Sequence, residues 1–271
     1  MSFILTLIFI STAIFVRSTD KNFITVCFLE TGNSDCIIVK TQESAILIDT
    51  ALQESYSYID SKLKSMNIEK LDCLIITHYD KDHVGSAADV IKDYEPDEIY
   101  VTYDRPKVYS KVHRNFINIV NELELEPKVI RENTSFQFGE TTLEIIPPKS
   151  DSYTQDASNN SSLMISLEYG STSFLMTGDI ESERIAEILM DEIGEYDVLK
   201  VPHHGWIEDN TSDLFKAVSP RYSVITNSTG YRKIPSTVAA LISCGSYIYS
   251  TANGEVTFKC YKNHVAVSQI L

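Results

Sequence analysis

The sequence predicts an α/β protein built as a four-layer αββα sandwich. Three observations carry that expectation. Short apolar, β-branched runs alternate with helix-periodic stretches, with no long linker, no low-complexity tract and no clear internal repeat. The pattern falls into two similar halves, each a strand meander followed by strands and helices. Three strands end in His or Asp, which a layered α/β protein gathers at one edge of its sheets.

Strands are expected over residues 23–29 and 36–40, joined by the turn-rich Glu30-Thr31-Gly32-Asn33-Ser34-Asp35, and over 45–48, which stops at Asp49. Residues 54–66 place Tyr58, Ile59, Leu63 and Met66 at helical spacing. Residues 71–77 read as a buried strand, and a helix starts near Ser86. Strands recur at 98–102, 128–130, 142–146, 163–168, 173–177, 198–201, 222–226, 247–250 and 256–261. Helices fit at 111–122, 182–191, 212–218 and 235–244.

Composition narrows the class. Apolar residues at 43% and charged residues at 23% are globular proportions, which excludes a disordered, fibrous or multi-span membrane chain. The net charge of −15 repels polyanions and disfavours broad nucleic-acid binding, while leaving room for a local basic strip. Arg105, Lys107, Lys111, Arg114, Arg232 and Lys233 are the candidates for one. The five cysteines form no CxxC pair and are odd in number, so neither a zinc knuckle nor a disulfide scaffold is expected.

Residues 3–16 are the one long apolar run. At about 14 residues it falls short of the roughly 20 that span a membrane, and it fits the core of an export signal. No Lys or Arg precedes it, and a buried first strand is the alternative. Residues 1–18 are thus expected to be a signal peptide or short membrane anchor, with 19–271 the folded domain. The expected location is extracytoplasmic, secreted or tethered to a membrane.

The densest chemistry lies in Thr77-His78-Tyr79-Asp80-Lys81-Asp82-His83-Val84-Gly85. A chain leaving the strand Leu74-Ile75-Ile76 can turn His78, Asp80, Asp82 and His83 towards one point, and Gly85 admits a close helix start. Imidazole with carboxylate suits Zn²⁺, Mn²⁺ or Fe²⁺. A polar loop capping a helix is the plainer reading, and it leaves the density of His and Asp unexplained. Residues 173–179 repeat the grammar, an apolar strand delivering Asp179, and 197–205 deliver His203 and His204.

These segments, with Thr177-Gly178-Asp179 and Val201-Pro202-His203-His204-Gly205, resemble the metallo-β-lactamase superfamily. Within it the chain looks most like the ComEC-type hydrolase domain of competence proteins and its free-standing relatives. Residues 28–35, Ile46-Leu47-Ile48-Asp49-Thr50, Asn159-Asn160-Ser161-Ser162-Leu163 and Val256 after the Asn253-Gly254 turn carry that likeness, which runs from about Phe23 to the C-terminus. The resemblance implies one or two divalent ions, zinc or manganese. It makes His78 a ligand of the first, with Asp80 where most of the superfamily has a second His. Asp82 and His83 serve the second ion, Asp179 bridges, and one of His203 and His204 completes the set. Asn160 stands where many relatives place a His, and Ile234 where the ComEC-type pattern has one before Pro235. The extra oxygen donors move preference towards Mn²⁺.

The resemblance implies a metal-dependent hydrolase, first of all of a small-molecule or polymeric phosphodiester, nucleic acid included. Asp179 would hold the nucleophile, Asp80 or Asp82 would assist proton movement, and His204, if not a ligand, would bond a substrate oxygen. A choline-phosphate esterase branch is also similar around residues 135–139 and 159–163, and another ester or lactone hydrolase is a further alternative. An inactive binding module is the reading from outside enzymes. Among the remaining residues, His113 in its basic stretch is expected on a solvated insertion and His264 at the surface. Trp206 is expected either to wall a pocket or to pack in the core.

Overall fold

The structure is a computed structural model that describes residues 22–103, 109–229 and 234–269. The N-terminal apolar run lies outside the described residues, as do Arg105, Lys107, Arg232 and Lys233. The first half runs β1 (Ile24–Phe28), β2 (Ile37–Lys40), β3 (Ala45–Ile48), α1 (Tyr56–Ser65), β4 (Cys73–Ile76), α2 (Lys81–Val84), α3 (Ala87–Tyr94), β5 (Glu98–Val101), α4 (Lys111–Glu122) and β6 (Lys128–Val129). The second runs β7 (Thr134–Phe138), β8 (Thr141–Ile146), α5 (Ala157–Asn160), β9 (Met164–Tyr169), β10 (Thr172–Met176), α6 (Ser182–Met190), β11 (Val198–Lys200), α7 (Thr211–Val218), β12 (Tyr222–Ile225), α8 (Ile234–Ser243) and β13 (Tyr247–Ser250). Two closing strands follow, β14 (Val256–Tyr261) and β15 (His264–Gln269).

The strands form two sheets, ordered β15-β14-β1-β2-β3-β4-β5-β6 and β13-β12-β11-β10-β9-β8-β7. In each, an antiparallel meander gives way to a parallel run, β3 to β6 in one and β10 to β13 in the other. The period of two sets the layers. Val26, Phe28, Val39, Ile46, Ile48 and Ile75 face Leu143, Ile165, Phe174 and Val198 between the sheets. The alternate residues Cys27, Ile38, Leu47, Leu74 and Ile76 pack under α1, α3 and α4. Leu175, Leu199 and Ile225 pack under α6 to α8. Strands covered on both faces read as continuous apolar runs, which is why these were legible.

The αββα architecture stands as expected. Strands β7 and β15 and the short α5 are additions. β7 alternates half-buried with exposed side chains and returns through a two-residue turn, pairing Phe138 with Thr141. β15 is an edge strand with no fully buried residue. All five cysteines are free, four of them buried. Among the described residues, no helix is long and apolar enough to cross a membrane.

Candidate metal centre

The parallel strands of both sheets deliver their C-terminal residues to one place. β3 ends at Asp49, β4 leads to His78 and α2, β10 leads to Asp179, and β11 leads to His204. There the ligand atoms of Asp82, His83, Asp179 and His204 all lie within 4.8 Å of one another. His83 Nε2 and His204 Nε2 are each 3.1 Å from Asp179 Oδ2, and His204 Nε2 is 3.5 Å from Asp82 Oδ2.

Local backbone geometry makes the convergence possible. A Cβ on Gly85 would stand 2.3 Å from the Ala51 carbonyl oxygen and 2.6 Å from the Gln53 nitrogen, so only glycine lets α2 approach this closely. The Asp35 N–H donates to the Asp82 carbonyl (3.1 Å), and the Thr50 N–H and hydroxyl both donate to that of His83 (2.7 and 2.9 Å). Asp49, His203 and His204 adopt left-handed φ of 57°, 44° and 52°. Strained non-glycine backbone of this kind persists only where surrounding contacts hold it.

Backing partners aim the imidazoles. His83 Nδ1 lies 2.7 Å from Asp49 Oδ2, and a carboxylate only accepts, so Nδ1 carries the proton. His204 Nδ1 donates to the Thr226 carbonyl at 2.8 Å. Thr77 donates its hydroxyl to Asp49 Oδ2 (2.7 Å) and its N–H to Asp49 Oδ1 (2.8 Å). Its oxygen is thereby left to accept from His78 Nδ1 at 3.2 Å. All three rings turn Nε2 inward, and all three Nε2 atoms are buried without an aligned hydrogen-bond partner. Inward Nε2 with a proton on Nδ1 is how histidine presents itself to a metal ion.

Charge balances in the same way. Burial disfavours the Asp179 carboxylate, but His204, His83 and Lys200 outweigh it and hold its pKa well below the usual range. Burial works against charge on both imidazoles, yet Asp179 and Asp49 hold His83 well above its ordinary value, and Asp179 with Asp82 lifts His204 to about 9. For His78, burial and then the neighbouring His83 lower the value. Two imidazoles and two carboxylates around one point fit a divalent cation.

The other sequence-predicted residues spread outward. Asp80 caps the start of α2, its side chain 47% exposed, and accepts from Ser158 Oγ at 2.6 Å. His78 Nε2 is 3.9 Å from Asp80 Oδ2, and the His78 and His83 rings are 4.0 Å apart. His203 turns away to Glu181 (2.8 Å) with Trp206 stacked on it, so His204 is the member of the pair that reaches the centre. Asn160 accepts from the N–H groups of Glu181 (2.9 Å) and Arg184 (3.2 Å) at the start of α6. His113 is buried rather than solvated, because Lys111 and Arg114 take the outer face of α4 while His113 and Phe116 take the inner one. His264 is exposed and stacked on Tyr261.

Sequence reasoning gave no role to Asp35, Asp49, Thr226 or Lys200. Asp49 obeys the signal used elsewhere, an apolar strand ending in an acid. Lys200 is a charge inside the apolar run Val198-Leu199-Lys200-Val201 and is fully buried.

The profile of the family described as the Metallo-beta-lactamase superfamily matches residues 29–226. The chain is 25% identical to ComE operon protein 3 of Bacillus subtilis, over 90% of this chain and 34% of that protein. It is 29% identical to Recombination protein 2 of Haemophilus influenzae, over 58% of this chain and 18% of that protein. The chain thus spans about a third or less of these relatives. Among solved structures, the metallo-beta-lactamase fold protein YhfI from Bacillus subtilis superposes with a TM-score of 0.59 at 12% identity, covering 92% of this chain and all of that one.

Proposed function

Given that the chain belongs to the metallo-beta-lactamase superfamily, we propose that it is a metal-dependent phosphodiesterase holding a divalent ion, Zn²⁺ or Mn²⁺, through Asp82, His83, Asp179 and His204. The observation that carries the reading is the convergence of these four side chains with buried, inward Nε2 atoms. His78 and Asp80 are the residues available to a second ion.

A divalent ion held there would supply a nucleophile from water at neutral pH and polarise a phosphoryl oxygen of the substrate. Asp179 presents Oδ2 to the centre, fixed from behind by Lys200 at Oδ1 and by its own N–H donating to Ser162 Oγ at 3.2 Å. Asp82, the one partly exposed member of the four, lies 3.5 Å from His204 Nε2 and would carry a proton between the centre and solvent. Asp49 and the Thr226 carbonyl keep His83 and His204 in one tautomer throughout.

A phosphodiester is favoured over an amide or lactone by the likeness to competence-type proteins. The net charge of −15 favours a small phosphodiester over a long nucleic acid. The apolar N-terminal run supports action outside the cytoplasm, secreted or tethered. The test is turnover by the Mn²⁺- or Zn²⁺-loaded protein on bis(p-nitrophenyl) phosphate, a phosphocholine ester, a lactone and a β-lactam. Cleavage of the phosphodiester is expected. Lactone or lactam turnover with no phosphodiester cleaved overturns the substrate class. Single-stranded DNA as substrate requires binding that weakens steeply with salt.

A further inference from the structure

Lys200 sits on β11 between Leu199 and Val201, with no solvent contact in its side chain. A lysine is almost never so buried unless it is paired. Its ammonium donates to the Gly178 carbonyl (2.8 Å), to Asp35 Oδ2 (2.5 Å) and to Asp179 Oδ1 (3.1 Å). Three protons meet three acceptors, so none is left for a substrate. Asp35 comes from the other sheet, on the loop between β1 and β2, and its Oδ1 lies 3.5 Å from His204 Nδ1. His204 Nε2 returns to Asp179 Oδ2 at 3.1 Å. One ammonium thus joins Asp35 on the loop of one sheet to Asp179 at the strand end of the other, and Asp179 in turn faces His204.

We propose that Lys200 is a positioning residue and a resident cation of this centre: it fixes Asp179 through Oδ1, ties it to Asp35 across the two sheets, and helps balance these buried carboxylates when no divalent ion is bound. The inference rests on reading the cluster as a cation site and adds what keeps that site folded while empty. Asp35, Asp49, Asp82 and Asp179 crowd the centre, and a buried acid without a partner is costly. With its three donors engaged, the Lys200 ammonium is fixed at Asp179 Oδ1, and Oδ2 of the same carboxylate faces His83 and His204.

Thermal unfolding of the full chain, chelated and with saturating Mn²⁺, tests this on Lys200→Met and on Asp35→Asn/Lys200→Met. The single variant, which keeps the length of the side chain and removes its charge, is expected to lower the melting temperature of the metal-free protein by roughly 10 °C. Mn²⁺ neutralises Asp179 and recovers at least half of that loss, so the Mn²⁺-induced rise exceeds that of the wild type. The double variant, with one acid fewer, regains metal-free stability over the single one. Equal losses with and without Mn²⁺ would mean that Lys200 only fills space, and overturn the proposal. If Lys200→Met does not fold, the double variant is read instead, and its failure to fold is equally decisive. A wild type whose melting temperature ignores Mn²⁺ and Zn²⁺ sinks the cation-site reading itself, a separate outcome.

Discussion

On one side of the centre, Asp82, His83, Asp179 and His204 bring ligand atoms within 4.8 Å of one another. On the other, His78 Nε2 lies 3.9 Å from Asp80 Oδ2, Asp80 is half in solvent, and Asn160 turns away to the start of α6. Part of the difference lies in what stands behind each side chain, although His78 too is backed, by the Thr77 and Ser162 hydroxyls at 3.2 and 3.3 Å. His83 has Asp49, His204 has the Thr226 carbonyl, and Asp179 has Lys200 and Ser162. Asp80 is held by Ser158 at the surface. Partners behind the ligands fix ring orientation and tautomer, and losing one costs about 10–100-fold in metal affinity. On the proposed reading, the first side would hold an ion more tightly than the second.

The largest effects fall on the first side. Asp179→Asn keeps the shape and removes the charge. It should fold and lose about 10²-fold or more in turnover, the scale of a lost preorganised charge. Near-normal kinetics in this variant remove Asp179 from the chemistry. His83→Ala and His204→Ala should each abolish retention of a divalent ion through dialysis, read by elemental analysis. His78→Ala should keep one ion per chain. Equal loss in His78→Ala and His83→Ala would make the two sides equivalent and break the comparison.

The same contrast governs what the sequence disclosed. Candidate site residues that leave apolar strands within one segment were legible: β4 runs into His78–His83, β10 into Asp179, β11 into His203-His204. Their supports were not, because Asp49 meets His83 only after β3 pairs with β4, and Asp35 meets Lys200 only when the sheets face each other. Adjacent His203 and His204 stayed ambiguous until the left-handed backbone at both positions sent one to Glu181 and the other inward. The core strands were readable from burial on both faces, whereas β7 and β15 at sheet edges carry too little apolar signal.

Asn160 sharpens the comparison at moderate size. Its Oδ1 satisfies two free N–H groups at the start of α6, and its Nδ2 donates to the Gln155 carbonyl at 3.0 Å. Asn160→Ala should cost about 1 kcal/mol, the value of a lost helix cap, or roughly 3 °C in melting temperature. The ratio of metal to protein should not change. A fall in that ratio would give Asn160 a place in the centre and even out the two sides.

The smallest effect concerns pH, and it falls on the weaker side. Tyr79, between His78 and Asp80, stacks on His113 at 4.1 Å and 6°, with Tyr109 edge-on at 4.6 Å. Burial pulls the His113 imidazole down from 6.5 to about 4. Between those values the unfolded chain takes up a proton that the folded one refuses, so stability present above pH 6.5 drains away as pH falls towards 4. His113→Phe keeps the aromatic stack and cannot titrate. Between pH 7 and pH 6 the wild type should lose about 0.7 kcal/mol more than this variant, roughly 2 °C in melting temperature. The two proteins are compared by thermal unfolding in matched buffers, so the titration of every other group cancels. Parallel slopes would show that His113 titrates alike in both states, and that the turn carrying His78 and Asp80 is indifferent to its charge.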